Sequence, residues 1–436
     1  MSSTMLTFLG VLILASCSIV AFTKKFPTWL PFCFIPVVIA LLVGFQPGDV
    51  SEWINDNVKS ASGNVMICMF AVMFFGLLNA VGVFDVILHW LLSLTKGNIY
   101  TIYIICILMG MIAQLSGSSL VSFTICIPAL RPLFDKLKLP RLKLVLLVSL
   151  GIAIMNYLPW GTPNTLAIYS PSMEPAQMTR HLLPVMIFGL GMVFALALAF
   201  AHADYRKNKA YIDSVKEDLI AEHSFAIDWS DKPYARPKRF VLNLILFIGI
   251  LASCIILSSV KTYIIFAIGT VLVILVNYNK KDAGKILEEN YNDIASTSLL
   301  LFSIAIMVGI VKNSGMIDNM AMGIIAIVPS KLLRFFPAIW GWARPTLDCF
   351  VPYQAWTAIP PLLVSVGEQI GLTNYQVLAT QVIACWGQPC SPLLAPNIIA
   401  CRLADIEIMD AFKHCWKYVV VLDALAMVFA LICGII

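Results

Sequence analysis

Two six-residue segments break long apolar runs: Trp160-Gly161-Thr162-Pro163-Asn164-Thr165 and Trp386-Gly387-Gln388-Pro389-Cys390-Ser391. Both fit W-G-x-P-x-[ST], and each is approached by a hydrophobic stretch, 144–158 and 377–385. The setting decides what such a break means. Of the 436 residues, 60% are hydrophobic and only 12% are charged. A soluble domain carries roughly a quarter charged residues, so this is a polytopic membrane protein. In hydrocarbon no water satisfies freed N–H and C=O groups. Non-helical backbone is tolerated there only where protein or a water-filled cavity surrounds it. Two such breaks predict half-sites of one protein-lined cavity at membrane depth.

Spans need about 20 apolar residues. The first run, 5–22, has its basic pair Lys24-Lys25 after it and no small-residue cleavage site, so it reads as a span and not as a leader. A second span, 29–45, and a polar segment with Asp49, Glu52 and Asp56 follow, then a span over 65–83. The run 99–130 is apolar but interrupted at its centre by Gln114-Leu115-Ser116-Gly117-Ser118-Ser119, and Lys96 and a basic loop, 131–143, flank it on both sides. Basic flanks mark the cytoplasm, so both ends lie on one side and 99–130 is a re-entrant hairpin. A broken helix over 142–168 and a return span over 181–201 complete residues 1–203 as an N-terminal repeat. The hydrophilic stretch 204–239 is a basic cytoplasmic linker, with a short amphipathic helix expected over 211–220. In the C-terminal repeat, 240–436, spans are expected over 241–257, 263–278 and 296–311. A second hairpin at 332–364, a broken helix at 376–397 and a last span over 416–436 follow them. Trp340, Trp342 and Trp356 are placed in an interfacial belt.

The halves also share a second motif. Gly76 to Asp85 and Gly309 to Asp318 both fit G-x-x-x-x-x-G-x-[FI]-D, and Leu-Ala-Ser-Cys occurs at 14–17 and 251–254. The separations, 237, 233 and 226 residues, run in chain order. Five spans and one hairpin per half invert the second half relative to the first. The expected fold is an all-α polytopic membrane protein with an inverted-topology repeat: about ten transmembrane helices, two re-entrant hairpins and two broken helices, the plan of secondary transporters. On this plan Lys312, Lys331 and Arg334 fall outside, against the usual basic bias.

The chemistry is expected at the breaks and tips. Ser116, Gly117, Ser118 and Ser119 form the first tip; Thr162, Pro163, Asn164 and Thr165 the first break; Gln388, Cys390, Ser391 and Asn397 the second. Neutral donors and acceptors of this kind bind carboxylates and Na⁺ without leaving a permanent buried charge. Arg344 and Asp348 lie near the second tip, and charges at membrane depth are functional candidates; Arg344 is the expected carboxylate partner. Candidates for the coupling ion are Ser118, Asn164, Ser391, and the equivalent carboxylates Asp85 and Asp318. The bland alternatives are a repaired proline kink at the breaks, a tight turn at the tip, an interfacial Arg344 paired with Asp348, and polar helix ends at Asp85 and Asp318. The twelve Cys carry no C-x-x-C and read as small apolar fillers. No catalytic, Walker or dinucleotide motif is present, so an enzyme is not expected, and neither is a metal or other cofactor.

Asn79 through Asp85, Leu158-Pro159-Trp160-Gly161-Thr162-Pro163 and Gly387-Gln388-Pro389 with Ser391-Pro392-Leu393 resemble the citrate–metal:proton symporter family of the ion transporter superfamily. The dicarboxylate/sodium symporters of that superfamily share the plan. The resemblance spans nearly the whole chain and implies that fold and a symporter of a small organic anion. In the family the first tip is acidic, of the type D-G-D-G-T-T, and an Arg follows W-G-G-P-T; here the tip is Ser116-Gly117-Ser118-Ser119 and no cation follows Thr165. That departs from what a metal–citrate complex requires. The expected function is cation-coupled (H⁺ or Na⁺) transport of a small carboxylate by alternating access in a bacterial inner membrane. A Na⁺/H⁺ antiporter of the same superfamily is the alternative, and a membrane-bound enzyme the alternative of another class. Partners are the bilayer and the anion, with no nucleic acid; a homodimer is implied only by superfamily analogy.

Overall fold

Helices alone satisfy every backbone group within one segment, and no strand occurs among the described residues. A computed structural model describes residues 2–23, 25–95, 97–115, 117–170, 173–222, 229, 232–257, 259–348 and 359–436; the side chains of 22, 216–222, 280, 293 and 388–390 lie outside that description. The first half runs α1 (Ser3–Phe22), α2 (Trp29–Leu42), α3 (Pro47–Ala80), α4 (Val83–Ser93), α5 (Ile99–Gln114), α6 (Ser119–Lys136), α7 (Arg141–Met155), α8 (Thr162–Leu166) and α9 (Pro175–Glu222). The second runs α10 (Phe240–Ile256), α11 (Thr262–Asn277), α12 (Lys280–Asn313), α13 (Met316–Ile327), α14 (Ser330–Leu333), α15 (Phe336–Leu347), α16 (Pro360–Gln369), α17 (Asn374–Ile383), α18 (Ala395–Ala404) and α19 (Ile408–Ile432). Six described stretches are long and apolar enough to cross a membrane: Ser3–Ala21, Pro47–Ala80, Pro175–Val215, Pro237–Ile256, Ile294–Asn313 and Ile408–Ile432.

Helices α3 and α12 are counterparts. Each has 34 residues, and each is stopped by a glycine in the left-handed region, Gly82 (φ 83°) and Gly315 (φ 78°), a conformation only glycine adopts cheaply. They pack against each other in antiparallel directions. A Cβ on Gly76 would meet the Asn290 side chain at 2.7 Å; one on Gly309 would meet the Trp53 carbonyl at 2.5 Å and Asn57 Cβ at 3.1 Å. Asn57 and Asn290 are counterparts, as are Gly76 and Gly309. Each glycine therefore receives the counterpart of the asparagine that faces the other, the reciprocity of a two-fold contact. Asn57 Nδ2 also donates to the Ala305 carbonyl at 2.8 Å.

The structure corrects several expected boundaries. The polar segment with Asp49, Glu52 and Asp56 is the first three turns of α3, not a loop. Glu52 and Asp56 stay exposed while Asn57, on the opposite face, is buried, so an amphipathic turn extends the span without burying charge. Lys281 and Lys285 likewise lie on the exposed face of α12. The return span starts at Pro175 and continues to Glu222 across a kink at Asn208, so the first part of the linker is helical. The last span starts at Ile408, ahead of Trp416.

The first hairpin is α5 and α6, turning at Gly117 (φ 78°), with Ser118 capping α6 by accepting from Val121 N at 3.4 Å. α5 also lies against α7 with backbones nearly touching: a Cβ on Gly110 would meet the Val148 carbonyl at 2.5 Å, and one on Gly151 the Ile107 carbonyl at 2.3 Å. Small residues permit that approach in membranes, and it fixes the hairpin arm to the helix that carries the first break. The arms expected for the second hairpin are α15 and α16; residues 349–358 between them lie outside the described residues.

Candidate functional site

At the first break α7 ends at Met155 and the chain turns before α8. Asn156 closes the turn: its carbonyl accepts from Thr162 N at 2.9 Å, and Gly161 N donates to the Leu158 carbonyl at 2.8 Å. A Cβ on Gly161 would stand 2.7 Å from the Asn156 carbonyl, so the turn needs glycine there. Trp160 packs on Phe75 and Phe266, with ring centroids 5.7 and 5.4 Å away. Asn164 is buried; its Nδ2 donates to the Asn64 carbonyl of α3 at 3.0 Å, while its Oδ1 has no hydrogen-bond partner among the described residues.

The second break is built differently. α17 starts on a capping box, Thr373 with Gln376, and passes into a 3₁₀ stretch, Ala384–Cys390, before α18. Ser391 is the knot behind it. Its hydroxyl donates to the Asp348 carbonyl at 2.7 Å and accepts from Leu393 N at 3.3 Å, and its carbonyl accepts from Asn397 Nδ2 at 2.7 Å. A Cβ on Gly387 would meet Pro345 Cα at 2.7 Å, so the end of α15 is seated on this break.

The two breaks touch. Trp386 Nε1 donates to Tyr157 OH at 2.8 Å with both residues 1% exposed, and Cys385 Sγ donates to the Ala153 carbonyl of α7 at 3.7 Å. The first hairpin joins them through a buried polar chain: Ser122 Oγ donates to Gln114 Oε1 at 3.0 Å, and Gln114 Nε2 to Asn156 Oδ1 at 3.2 Å. From the other side come Arg344 and Asp348, 7% and 1% exposed, with Nε and Oδ2 3.9 Å apart. Arg344 is thus inside the protein and not at an outer interface.

Of the residues singled out from the sequence, Thr162, Pro163, Asn164, Thr165, Ser391, Asn397, Arg344 and Asp348 belong to this cluster or the helices entering it. Gly117, Ser118 and Ser119 line a cavity of about 420 Å³ between the first tip, α3, α12 and Pro396 of α18. Ser116 and the side chains of Gln388 and Cys390 lie outside the described residues. Asp85 and Asp318 stand elsewhere: Asp85 forms an ion pair with Lys232 of the linker, and Asp318 accepts from Ser365 Oγ at 2.8 Å. Sequence reading placed Gln114 in the polar interruption but gave it no role, and it missed Ser122 and Asn156, which look like ordinary polar residues near helix ends. It also missed Asn79, Asn290, Ser296 and Thr297, which line the cavity, and Asp423, fully buried in α19. The available signal for Asp423 was a lone carboxylate in the last apolar run.

The tip cavity shares Gly76, Asn79 and Asn290 with a second one of about 280 Å³ that reaches Lys232, Pro233 and Tyr234 of the linker. A third, of about 370 Å³, is lined by Asp56, Asn57, Lys312 and Asn313. These are the counterparts of Glu289, Asn290, Asn79 and Ala80 in the second. Residues 57 and 79 are roughly 33 Å apart along α3 at about 1.5 Å per residue, close to the ~30 Å thickness of a bilayer core. Equivalent cavities therefore open at the two ends of the α3–α12 pair.

Comparisons with known proteins agree with this architecture. The family model described as "Citrate transporter" matches residues 18–385. The uncharacterized transporter YraO of Bacillus subtilis (strain 168) is 26% identical, covering 99% of both chains. The Mg(2+)/citrate complex secondary transporter of the same organism is 24% identical, covering 99% of both. Among solved structures, the Alcanivorax borkumensis YdaH transporter, described as having an unusual topology, aligns with a TM-score of 0.64 at 13% identity over 92% of this chain and 96% of that one, a likeness of fold. The protein is a multi-pass cell-membrane transporter and not an enzyme, and it belongs to the citrate transporter family.

Proposed function

We propose that the protein is a cation-coupled secondary transporter of a small carboxylate, with the two breaks and the hairpin tips forming one substrate site worked by alternating access. The observation that carries this is the meeting of the breaks at Trp386–Tyr157 and Cys385–Ala153, between equivalent cavities at the two ends of α3 and α12. Broken helices that meet between inverted halves supply unpaired backbone and neutral polar groups for an anion and its coupling ion. Rocking one half against the other exposes such a site to each side in turn. Arg344, the one buried cation of the cluster among the described residues, faces a substrate carboxylate.

The relative named for a Mg²⁺/citrate complex supports a citrate-type acid. The serine tip argues for the free acid over its metal complex, since Ser118 and Ser119 offer no carboxylate to a divalent ion. The test is uptake of labelled mono-, di- and tricarboxylates by wild-type protein and by Asn164→Ala and Ser391→Ala made separately. Both variants should lose uptake while remaining folded; wild-type rates in both would overturn the site assignment.

A further inference from the structure

A buried carboxylate has no hydrogen bond among the described residues. Asp423 is 0% exposed, in the middle of α19, and neither carboxyl oxygen has a hydrogen-bond partner among the described residues. Its charged neighbours among the described residues are Arg344 of α15 and Asp348, the cap at the end of that helix. α15 lies along α19 in fixed register: Trp342 Nε1 donates to the Val420 carbonyl at 3.2 Å, and Trp416 Nε1 to Thr346 Oγ1 at 3.0 Å. A Cβ on Gly341 would meet Met427 Cε at 2.8 Å. Among the described residues the other ionisable groups facing Asp423 are Tyr157, just after α7, and Cys385 of the second break. Both are engaged in hydrogen bonds, with Trp386 and with the Ala153 carbonyl. On the remaining helices packed against α19, His181 of α9 reaches Ile435 at the far end, and Cys401 of α18 lies by Cys415 two turns earlier.

Among the described residues the cluster therefore holds two carboxylates and one guanidinium. Arg344 and Asp348 balance each other, and an ionised Asp423 adds one uncompensated negative charge in a site walled from water, where unpaired charge is costly. One bound monovalent cation removes the excess. A Na⁺ ion needs a shell of several oxygens, whereas a proton needs one carboxyl oxygen.

We propose that Asp423 is the carboxylate that binds and releases the transported proton, an assignment that rests on the cation-coupled reading above. The proton bonds to a carboxyl oxygen of Asp423 when the site is open to one side, giving the neutral acid, and returns to water on the other side. Nothing is oxidised or reduced. Coupling follows from charge: a substrate carboxylate beside Arg344 competes with ionised Asp423 and is compatible with the protonated one. Anion and proton thus favour each other's binding reciprocally.

The test is pH-difference infrared spectroscopy on the purified protein, with proteoliposome uptake alongside. Wild-type protein should show the carbonyl stretch of a buried carboxylic acid that disappears at high pH. Asp423→Asn should lack that band, and Asp423→Glu should retain it at a shifted frequency. Asp423→Asn should also lose labelled-citrate accumulation driven by a pH gradient while keeping citrate counterflow. A titrating band absent from the wild type, or unchanged in Asp423→Asn, overturns the proposal. If Asp423→Asn does not fold, an unshifted band in Asp423→Glu overturns it as well. A band that behaves as expected in a protein that moves no carboxylate leaves Asp423 as the proton site and refutes carboxylate transport instead.

Discussion

The contact between the two breaks can be measured as a coupling energy. Trp386 Nε1 donates to Tyr157 OH at 2.8 Å, and both residues are 1% exposed. The bond joins two neutral groups, so removing one partner leaves the other buried without it, at a cost of about 1–3 kcal/mol. Trp386→Phe also empties space beside Gly189, where the indole ring now stands 2.7 Å from a would-be Cβ. That packing loss is present whether or not Tyr157 keeps its hydroxyl, so a double-mutant cycle cancels it. Side-chain hydrogen bonds inside membrane proteins average about 0.6 kcal/mol in such cycles, with a maximum of about 1.7. Full burial and good geometry place this pair near the top, at about 1–1.5 kcal/mol. The cycle is Trp386→Phe, Tyr157→Phe and the double variant, with unfolding followed in mixed micelles. Coupling below about 0.3 kcal/mol, within ordinary additivity, would mean the two breaks are not in contact and would remove the basis of a shared site.

The two-fold packing of α3 and α12 predicts unequal effects at its equivalent glycines. Gly309→Ala drives a Cβ against the Trp53 backbone carbonyl, whereas Gly76→Ala meets only the Asn290 side chain, which can turn away; Gly309→Ala should cost about 1–3 kcal/mol as overpacking and Gly76→Ala less, by the same unfolding assay. In a background without other cysteines, Ser118→Cys should react faster with a water-soluble maleimide than Asn164→Cys, because Ser118 lines the tip cavity while Asn164, 2% exposed, is reached only when the breaks open. Equal labelling of the two would contradict the closed packing of the breaks.

The breaks and the first tip were legible in the sequence because Gly, Pro and polar side chains inside an apolar run have few physical uses. The pairing of halves was legible through Gly82 and Gly315, whose left-handed backbone stops two helices of equal length. The first turns of α3 were hidden, since hydropathy falls at Glu52 and Asp56 although those side chains face outward and the helix continues. The cavity lining was hidden too: Asn79, Asn290, Ser296 and Thr297 come together only through the crossing of α3, α12 and the first hairpin. Asp423 had a signal, a carboxylate seven residues after Trp416 in an apolar helix, but no motif announced that Arg344 and Asp348 would sit beside it.

Uptake into proteoliposomes decides the transport reading. Wild-type protein should accumulate at least one labelled citrate-type carboxylate above its outside concentration under a pH or Na⁺ gradient, and only equilibrate it when neither gradient is present. Accumulation of no carboxylate under any gradient, or proton release driven by Na⁺ alone with no organic solute, would contradict it.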